Sequence, residues 1–251
     1  MRFVLLILLL CAPALCAAAS AAELPVALRG VRTIVTLGDS ITEGGGQPGG
    51  YVWLVQRWLS ALYPSARIRV VNAGVSGHRA TDMADRFERD VLRHEPDLVT
   101  IHVGVNDVWH AFHDWTDNSD HPAGDLPNGV PLPVYRARVD GMVAAAQKAG
   151  ARVVLLSPTI VYERLGSPEN VRLAGYVRAM REIAERRKCL FIDLNAAFRE
   201  VIAVYQRRAG TGGLLLTTDG VHMNPAGNRL MAQTLLRGLG VSAADLDRVD
   251  D

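Results

Sequence analysis

Short apolar runs alternate with longer amphipathic stretches along this chain. The runs are Thr33–Leu37, Ile68–Asn72, Leu98–Val103, Arg152–Leu156 and Leu190–Asp193. They are rich in Val, Ile and Leu and do not alternate strictly between apolar and polar, as expected of parallel strands covered on both faces. Tyr51–Tyr63 places Val52, Val55, Leu59 and Leu62 near helical spacing. Thr81–His94 puts Met83, Phe87, Val91 and Leu92 inward, with Asp85, Arg86, Glu88 and Arg89 outward. Val134–Ala149, Glu169–Lys188, Leu194–Gln206 and Pro225–Leu239 read as helices in the same way. Strand and helix in alternation predict an α/β fold, a doubly wound parallel sheet in a three-layer α/β/α arrangement. Two stretches break the rhythm. Trp109–Pro133 is long, polar and rich in Trp, His, Pro and Asp, and Thr211–Gly220 precedes the last helix. Long insertions in such a fold are usually lids or binding loops.

The first residues belong to none of these elements. One early cation, a leucine-rich run and a small-residue tail are the layout of a secretory signal peptide, read here as residues 1–22 with cleavage after Ala22. Residues 23–251 then form a single domain, exported to the periplasm or the medium. The apolar run Phe3–Leu10 is too short to span a bilayer, so no stable membrane anchor is expected. Lipid attachment would need a small residue before Cys11 or Cys16, and Leu10 and Leu15 stand there. Removing the leader takes away one charge, Arg2, and leaves 26 basic against 26 acidic residues. A neutral balance gives no reason to expect a nucleic-acid partner. Cys189 remains as the lone cysteine, in an apolar run that favours packing over reactivity.

In open α/β sheets, ligands bind outside the carboxyl ends of the strands. The first strand delivers Gly38-Asp39-Ser40 there, the second Asn72-Ala73-Gly74, and the third Gly104-Val105-Asn106-Asp107. The loop before the final helix delivers Asp219-Gly220-Val221-His222. One end of the sheet thus gathers a hydroxyl, glycine backbone, a carboxamide, a carboxylate and an imidazole, the set that acyl transfer needs. Ser40 would attack, His222 would take its proton, and Asp219 would fix the imidazole tautomer. The Ser40 and Gly74 N–H groups and the Asn106 amide would stabilise the oxyanion.

These four blocks, LGDS at 37–40, NAG at 72–74, GVND at 104–107 and DGVH at 219–222, resemble those of the GDSL family, also called SGNH hydrolases. They occur in the family's order, with Ile41 where leucine is common after the serine. The resemblance implies a flavodoxin-like sheet in the order 2-1-3-4-5, Ser40, Asp219 and His222 as catalytic residues, Gly74 and Asn106 in the oxyanion hole, and no metal or other cofactor. It implies a serine esterase acting on a small-molecule or carbohydrate ester. The polar, aromatic loop 109–133 favours short acyl groups, such as O-acetyl groups on carbohydrate. A lipase or lysophospholipase, an acyltransferase with the same triad, and a non-catalytic carbohydrate-binding protein are the alternatives.

Other features take lesser roles. Asp39 caps a helix or touches substrate, Asp107 supports its loop or touches substrate, and Asn72 closes a turn or serves the site. Trp109 and Trp115 are either core aromatics or a platform for a sugar ring or acyl chain. Gly44-x-Gly46-x-x-Gly49 matches a dinucleotide fingerprint by letter but contains Pro48 and begins well past the strand. His102, His110, His113 and His121 invite a metal reading, and His110 and His113 are three apart, which suits one helical face; the segment also holds Pro and Gly and no third ligand, so they read as solvated loop histidines.

Overall fold

The computed structural model describes residues 22–209 and 213–250. The leader read at residues 1–22 lies, except for Ala22, outside the described residues.

Five parallel strands form the sheet: β1 (Thr33–Gly38), β2 (Arg69–Gly74), β3 (Leu98–His102), β4 (Arg152–Leu156) and β5 (Leu190–Ile192), in the order β2-β1-β3-β4-β5. This is the expected class and the expected order. β1 lies inside the sheet between β2 and β3, in register from Thr33 opposite Arg69 to Gly38 opposite Gly74, and with Leu37 opposite Ile101 of β3. That register makes β1, β2 and β3 end together, so the turns that follow them leave the sheet side by side. The apolar runs expected to be covered on both faces are covered in β1, β3 and β4, where Val35, Leu37, Val99, Ile101 and Leu155 are fully inaccessible; the edge strands β2 and β5 are only partly buried, with Leu190 38% exposed. Burying each such aliphatic side chain contributes about 1.5–3 kcal/mol.

Helices cover both faces. α1 (Ser40–Gly45) and α2 (Tyr51–Leu62) connect β1 to β2, and α3 (Ala80–Asp85) and α4 (Phe87–Asp90) lie between β2 and β3. α5 (Val105–Trp109), α6 (Leu132–Lys148) and α7 (Pro168–Arg187) follow. α8 (Leu194–Ala209), α9 (Pro225–Gly238) and α10 (Ala243–Asp247) complete the chain. α2, α8 and α9 pack together as one layer, and α3, α6 and α7 as the other. Right-handed crossovers require this division, because the chain moves from β1 outward to β2 and then back across β1 to β3, β4 and β5. The stretch 109–133 is not wholly irregular: α5 closes it at one end, and a short antiparallel hairpin pairs His113–Asp114 with Ser119–Asp120.

The predicted single helix over 81–94 is broken, and Arg86 is the reason. Its backbone leaves helical geometry (φ −104°, ψ 2°), and its side chain, expected to face solvent, is buried at 4% exposure. The guanidinium donates to Gly38 O (2.9 Å), Ala73 O (2.8 Å) and His78 Nδ1 (2.9 Å), and pairs with Asp90 (3.2 Å). Gly38 and Ala73 close β1 and β2. Gly38 O also accepts from Val75 N (3.1 Å), so Arg86 adds charge-assisted hydrogen bonds to carbonyls at the ends of β1 and β2 and ties the two strand ends to the helix break.

His102, at the end of β3, is fully buried, with no hydrogen-bond partner for either ring nitrogen among the described residues. Burial pushes its pKa down from 6.5 to about 4. A folded-state pKa below the unfolded value means that the unfolded chain takes up a proton that the fold refuses, so stability falls as pH drops through 6.5 toward 4. The expected outcome for His102→Leu is a thermal midpoint that improves relative to the parent as pH is lowered from 7 to 4.5, read by circular dichroism. An unchanged difference across that range would show that His102 does not carry this acid sensitivity.

Candidate active site

Ser40 opens α1 directly after β1, and Asp39 is the helix cap, its Oδ1 accepting from Ile41 N at 3.0 Å. His222 arrives from the loop before α9, which Pro225 and the cap from Asn224 to Gly227 N (3.0 Å) start sharply. Ser40 Oγ lies 2.8 Å from His222 Nε2, and His222 Nδ1 lies 2.6 Å from Asp219 Oδ2. Asp219 Oδ1 also accepts from Val221 N (2.9 Å) and His222 N (2.8 Å). Burial pushes the Asp219 carboxyl up, but these hydrogen bonds and the nearby imidazole hold it below the ordinary carboxylate range. An ionised carboxylate at Nδ1 selects the tautomer that leaves Nε2 free to accept the serine proton. The expected trio of Ser40, Asp219 and His222 is therefore assembled in hydrogen-bonding order.

Beside it lies a cavity of about 370 Å³ lined by Ser40, Ser76, Gly77, Asn106, Trp109, His110, Trp115 and His222. Asn106 is 3% exposed, and its amide donates to His78 O at 3.1 Å, which fixes the group and leaves a second N–H. Trp109 is packed as a core aromatic and also lines the cavity. It is 8% exposed, donates through Nε1 to Tyr162 OH (3.0 Å), and sets its ring 6.5 Å from that of His222. Trp115 packs edge-on against Trp109 (4.7 Å) and stands 53% exposed at the rim.

Three expectations are corrected. Gly74 does not line the cavity. Its N–H donates to Asn72 Oδ1 at 2.8 Å, and a side chain there would meet Glu43 N at 2.1 Å, so its glycine serves the close approach of α1 to β2. Asn72 takes the structural role, bonding Thr42 O at 2.6 Å. Gly77, three residues on, lines the cavity at φ +77°, and its N–H has no partner among the described residues. The turn presenting it is held by Glu43, whose carboxylate accepts from Ser76 N at 2.8 Å and from Ser76 Oγ. The positive-φ need of the turn Ser76-Gly77 was the available signal. Asp39 and Asp107, considered for substrate contact, lie outside the lining at 1% exposure each. Asp39 is spent on its cap, and Asp107 accepts from Ala80 N at 3.0 Å and borders a separate cavity of about 390 Å³. His102, in the core, and His113, beside Asp120 (2.9 Å), are buried rather than solvated; His110, in the cavity wall, and His121, beside Ser119 (3.1 Å), are half-buried. His110 is pushed down to about 4 by burial, so the wall it forms is neutral at pH 7.

The model of the GDSL-like lipase/acylhydrolase family matches residues 36–230, which take in all four blocks. The chain belongs to this family. Among GDSL relatives, an acetylxylan esterase from Geobacillus stearothermophilus is 33% identical over 222 residues, covering 82% of this chain and 93% of its own. An isoamyl acetate-hydrolysing esterase from Saccharomyces cerevisiae is 27% identical over 68% of each chain. The solved structure of the Geobacillus enzyme superposes with a TM-score of 0.71 at 31% identity, over 84% of this chain and 95% of that one. Its catalytic mutants replace a serine, an aspartate and a histidine, the last two three positions apart, as Asp219 and His222 are. This GDSL chain is a carboxylic ester hydrolase.

Asp107 gives a stability test. Burial raises its carboxyl from 3.8 to about 7, with Asp39 nearby adding to the rise, and its Oδ2 has no partner among the described residues. The fold then binds the proton more tightly than the unfolded chain does, so stability is lost as pH rises from about 4 through about 7. Asp107→Asn keeps an acceptor for Ala80 N and carries no charge. Its urea midpoint relative to the parent is expected to rise between pH 5 and pH 8. A difference that stays flat would contradict a buried charge at this position.

Proposed function

We propose that this protein is an exported serine esterase that removes short acyl groups, chiefly O-acetyl groups, from carbohydrate. The observation that carries the reading is the Ser40–His222–Asp219 chain of hydrogen bonds facing a cavity walled by Trp109 and Trp115. The acetylxylan esterase relative supports the substrate class. The layout of residues 1–22 supports export, and no helix among the described residues is long and apolar enough to cross a membrane.

Ser40 Oγ adds to the ester carbonyl as His222 Nε2 takes its proton. The oxyanion forms against Ser40 N–H, Gly77 N–H and the free Asn106 amide hydrogen, which precede the charge in place and need no reorganisation when it develops. His222 then returns the proton to the departing sugar oxygen, leaving an acyl-serine. A water, deprotonated by the same nitrogen, repeats the sequence and frees the acid. Asp219 stays ionised and stabilises the imidazolium at each stage. Trp115 offers an exposed ring face at the rim, suited to the apolar face of a sugar. Water and small polar groups complete the rest, so no resident cofactor enters this reading.

Purified protein and Ser40→Ala are compared on p-nitrophenyl acetate, butyrate and octanoate and on acetylated xylooligosaccharides. Activity is expected to fall with acyl length and to drop roughly a thousandfold or more in Ser40→Ala. Trp115→Ala is expected to raise KM for the acetylated oligosaccharide more than for p-nitrophenyl acetate. Persistent activity in Ser40→Ala would remove Ser40 as nucleophile, and a preference for octanoate would replace the short-acyl reading with a lipase-like one.

A further inference from the structure

The loop that carries Asp219 and His222 is anchored in the core by Leu216 and Val221, and its backbone between them is held by one buried acid outside it. Glu163 follows β4 and is 2% exposed. Its Oε2 accepts from Leu215 N (2.7 Å), and its Oε1 accepts from Leu216 N (2.8 Å), Thr217 N (2.9 Å) and Thr217 Oγ1 (2.7 Å). The Thr217 hydroxyl accepts in turn from Gly220 N at 3.2 Å. An unbroken run of hydrogen bonds therefore leads from Glu163 to the peptide between Asp219 and Gly220.

The preceding residue reaches the same loop and the opposite wall of the cavity. Tyr162 N donates to Gly220 O at 2.8 Å, while its hydroxyl accepts from Trp109 Nε1 at 3.0 Å. Tyr162 adopts φ +61°, a left-handed conformation that is unfavourable for a non-glycine residue and persists only where its surroundings impose it. Asn170, at the start of α7 and 3% exposed, imposes it. Its Oδ1 accepts from Val161 N (3.1 Å), and its Nδ2 reaches Val161 O (2.6 Å), Tyr162 O (3.0 Å) and Arg164 O (3.0 Å).

We propose that Tyr162 and Glu163 are positioning residues that hold the histidine loop at a fixed separation from the tryptophan wall, Glu163 setting the rate of chemistry and Tyr162 the fit of substrate. The proposal rests on the serine-esterase reading above. Neither residue touches the reacting atoms; both act through the groups they hold.

The test uses p-nitrophenyl acetate kinetics, with urea unfolding on every variant. Glu163→Gln places an amide N–H against Leu215 N–H and is expected to lower kcat roughly tenfold to a hundredfold with KM nearly constant, the scale that a small misplacement of a catalytic group produces. Thr217→Val removes only the hydroxyl relay, and a smaller fall in kcat is expected; Thr217→Ser, which keeps the hydroxyl, is expected to restore it. Tyr162→Phe removes only the acceptor for Trp109 and is expected to raise KM more than it lowers kcat. If Glu163→Gln does not fold, the Thr217 pair decides. Folded Thr217→Val with kcat within about twofold of the parent, or Thr217→Ser as impaired as Thr217→Val, would overturn the relay. Tyr162→Phe with unchanged KM would overturn its half. Ser40→Ala, run alongside, separates the two failures: if it is active, the esterase reading falls; if it is inactive while the Glu163 and Thr217 variants are normal, only the brace does.

Discussion

The contact between Ser40 Oγ and His222 Nε2 joins residues 182 positions apart, and the rest of the structure can be understood as what makes that contact short and repeatable. A hydroxyl and an imidazole drawn from the two ends of a chain meet only if both are delivered to one place by rigid elements. Ser40 is delivered by β1, an interior strand that is buried along nearly its whole length and hydrogen-bonded along both edges. His222 has no strand behind it. It depends on a tight loop whose peptide groups are tied to a buried acid and whose far end is pinned by the cap of α9.

The carboxyl end of the sheet is accordingly crowded with buried polar groups. Arg86, Asp39, Asp107, Asn106 and Glu163 are all nearly inaccessible there. Most are satisfied by backbone groups at strand ends and turns rather than by one another. This is the chemistry expected where a parallel sheet stops, because each terminating strand leaves carbonyl and N–H groups that neither water nor a neighbouring strand can reach. The orphaned oxygens of Asp39 and Asp107 and the unpartnered ring of His102 mark where that accounting is incomplete. Asp39 is pushed up to about 6 and Asp107 to about 7, while His102 is pushed down to about 4. The acids and the imidazole thus pull stability in opposite directions across the same pH range.

The strands and the hydrogen-bonded trio of Ser40, Asp219 and His222 were legible in the sequence because each is local: apolar runs of strand length, and short blocks at their ends. The helix break at Arg86 was not legible. An arginine on a charged helical face looks solvated until the positions of Gly38 O and Ala73 O are known, and those depend on the register of two other strands. The expectation for Gly74 failed for a similar reason. Gly74 closes β2 and Gly77 follows three residues later, and only the packing of α1 against β2 shows that the Gly74 N–H is occupied. Glu163 left no local trace at all, since its partners lie more than 50 residues away.

The tether from Trp109 to Tyr162 constrains how this pocket can change over generations. Trimming Trp109 would widen the cavity, but it would also release the tyrosine hydroxyl and loosen a segment that the histidine loop leans on. Breadth of substrate and speed of turnover are therefore linked at that position. Trp115 is exposed, and its indole N–H is bound to nothing among the described residues, so it carries no such linkage. Lineages drifting toward bulkier esters would exchange Trp115 first and keep Trp109 longest.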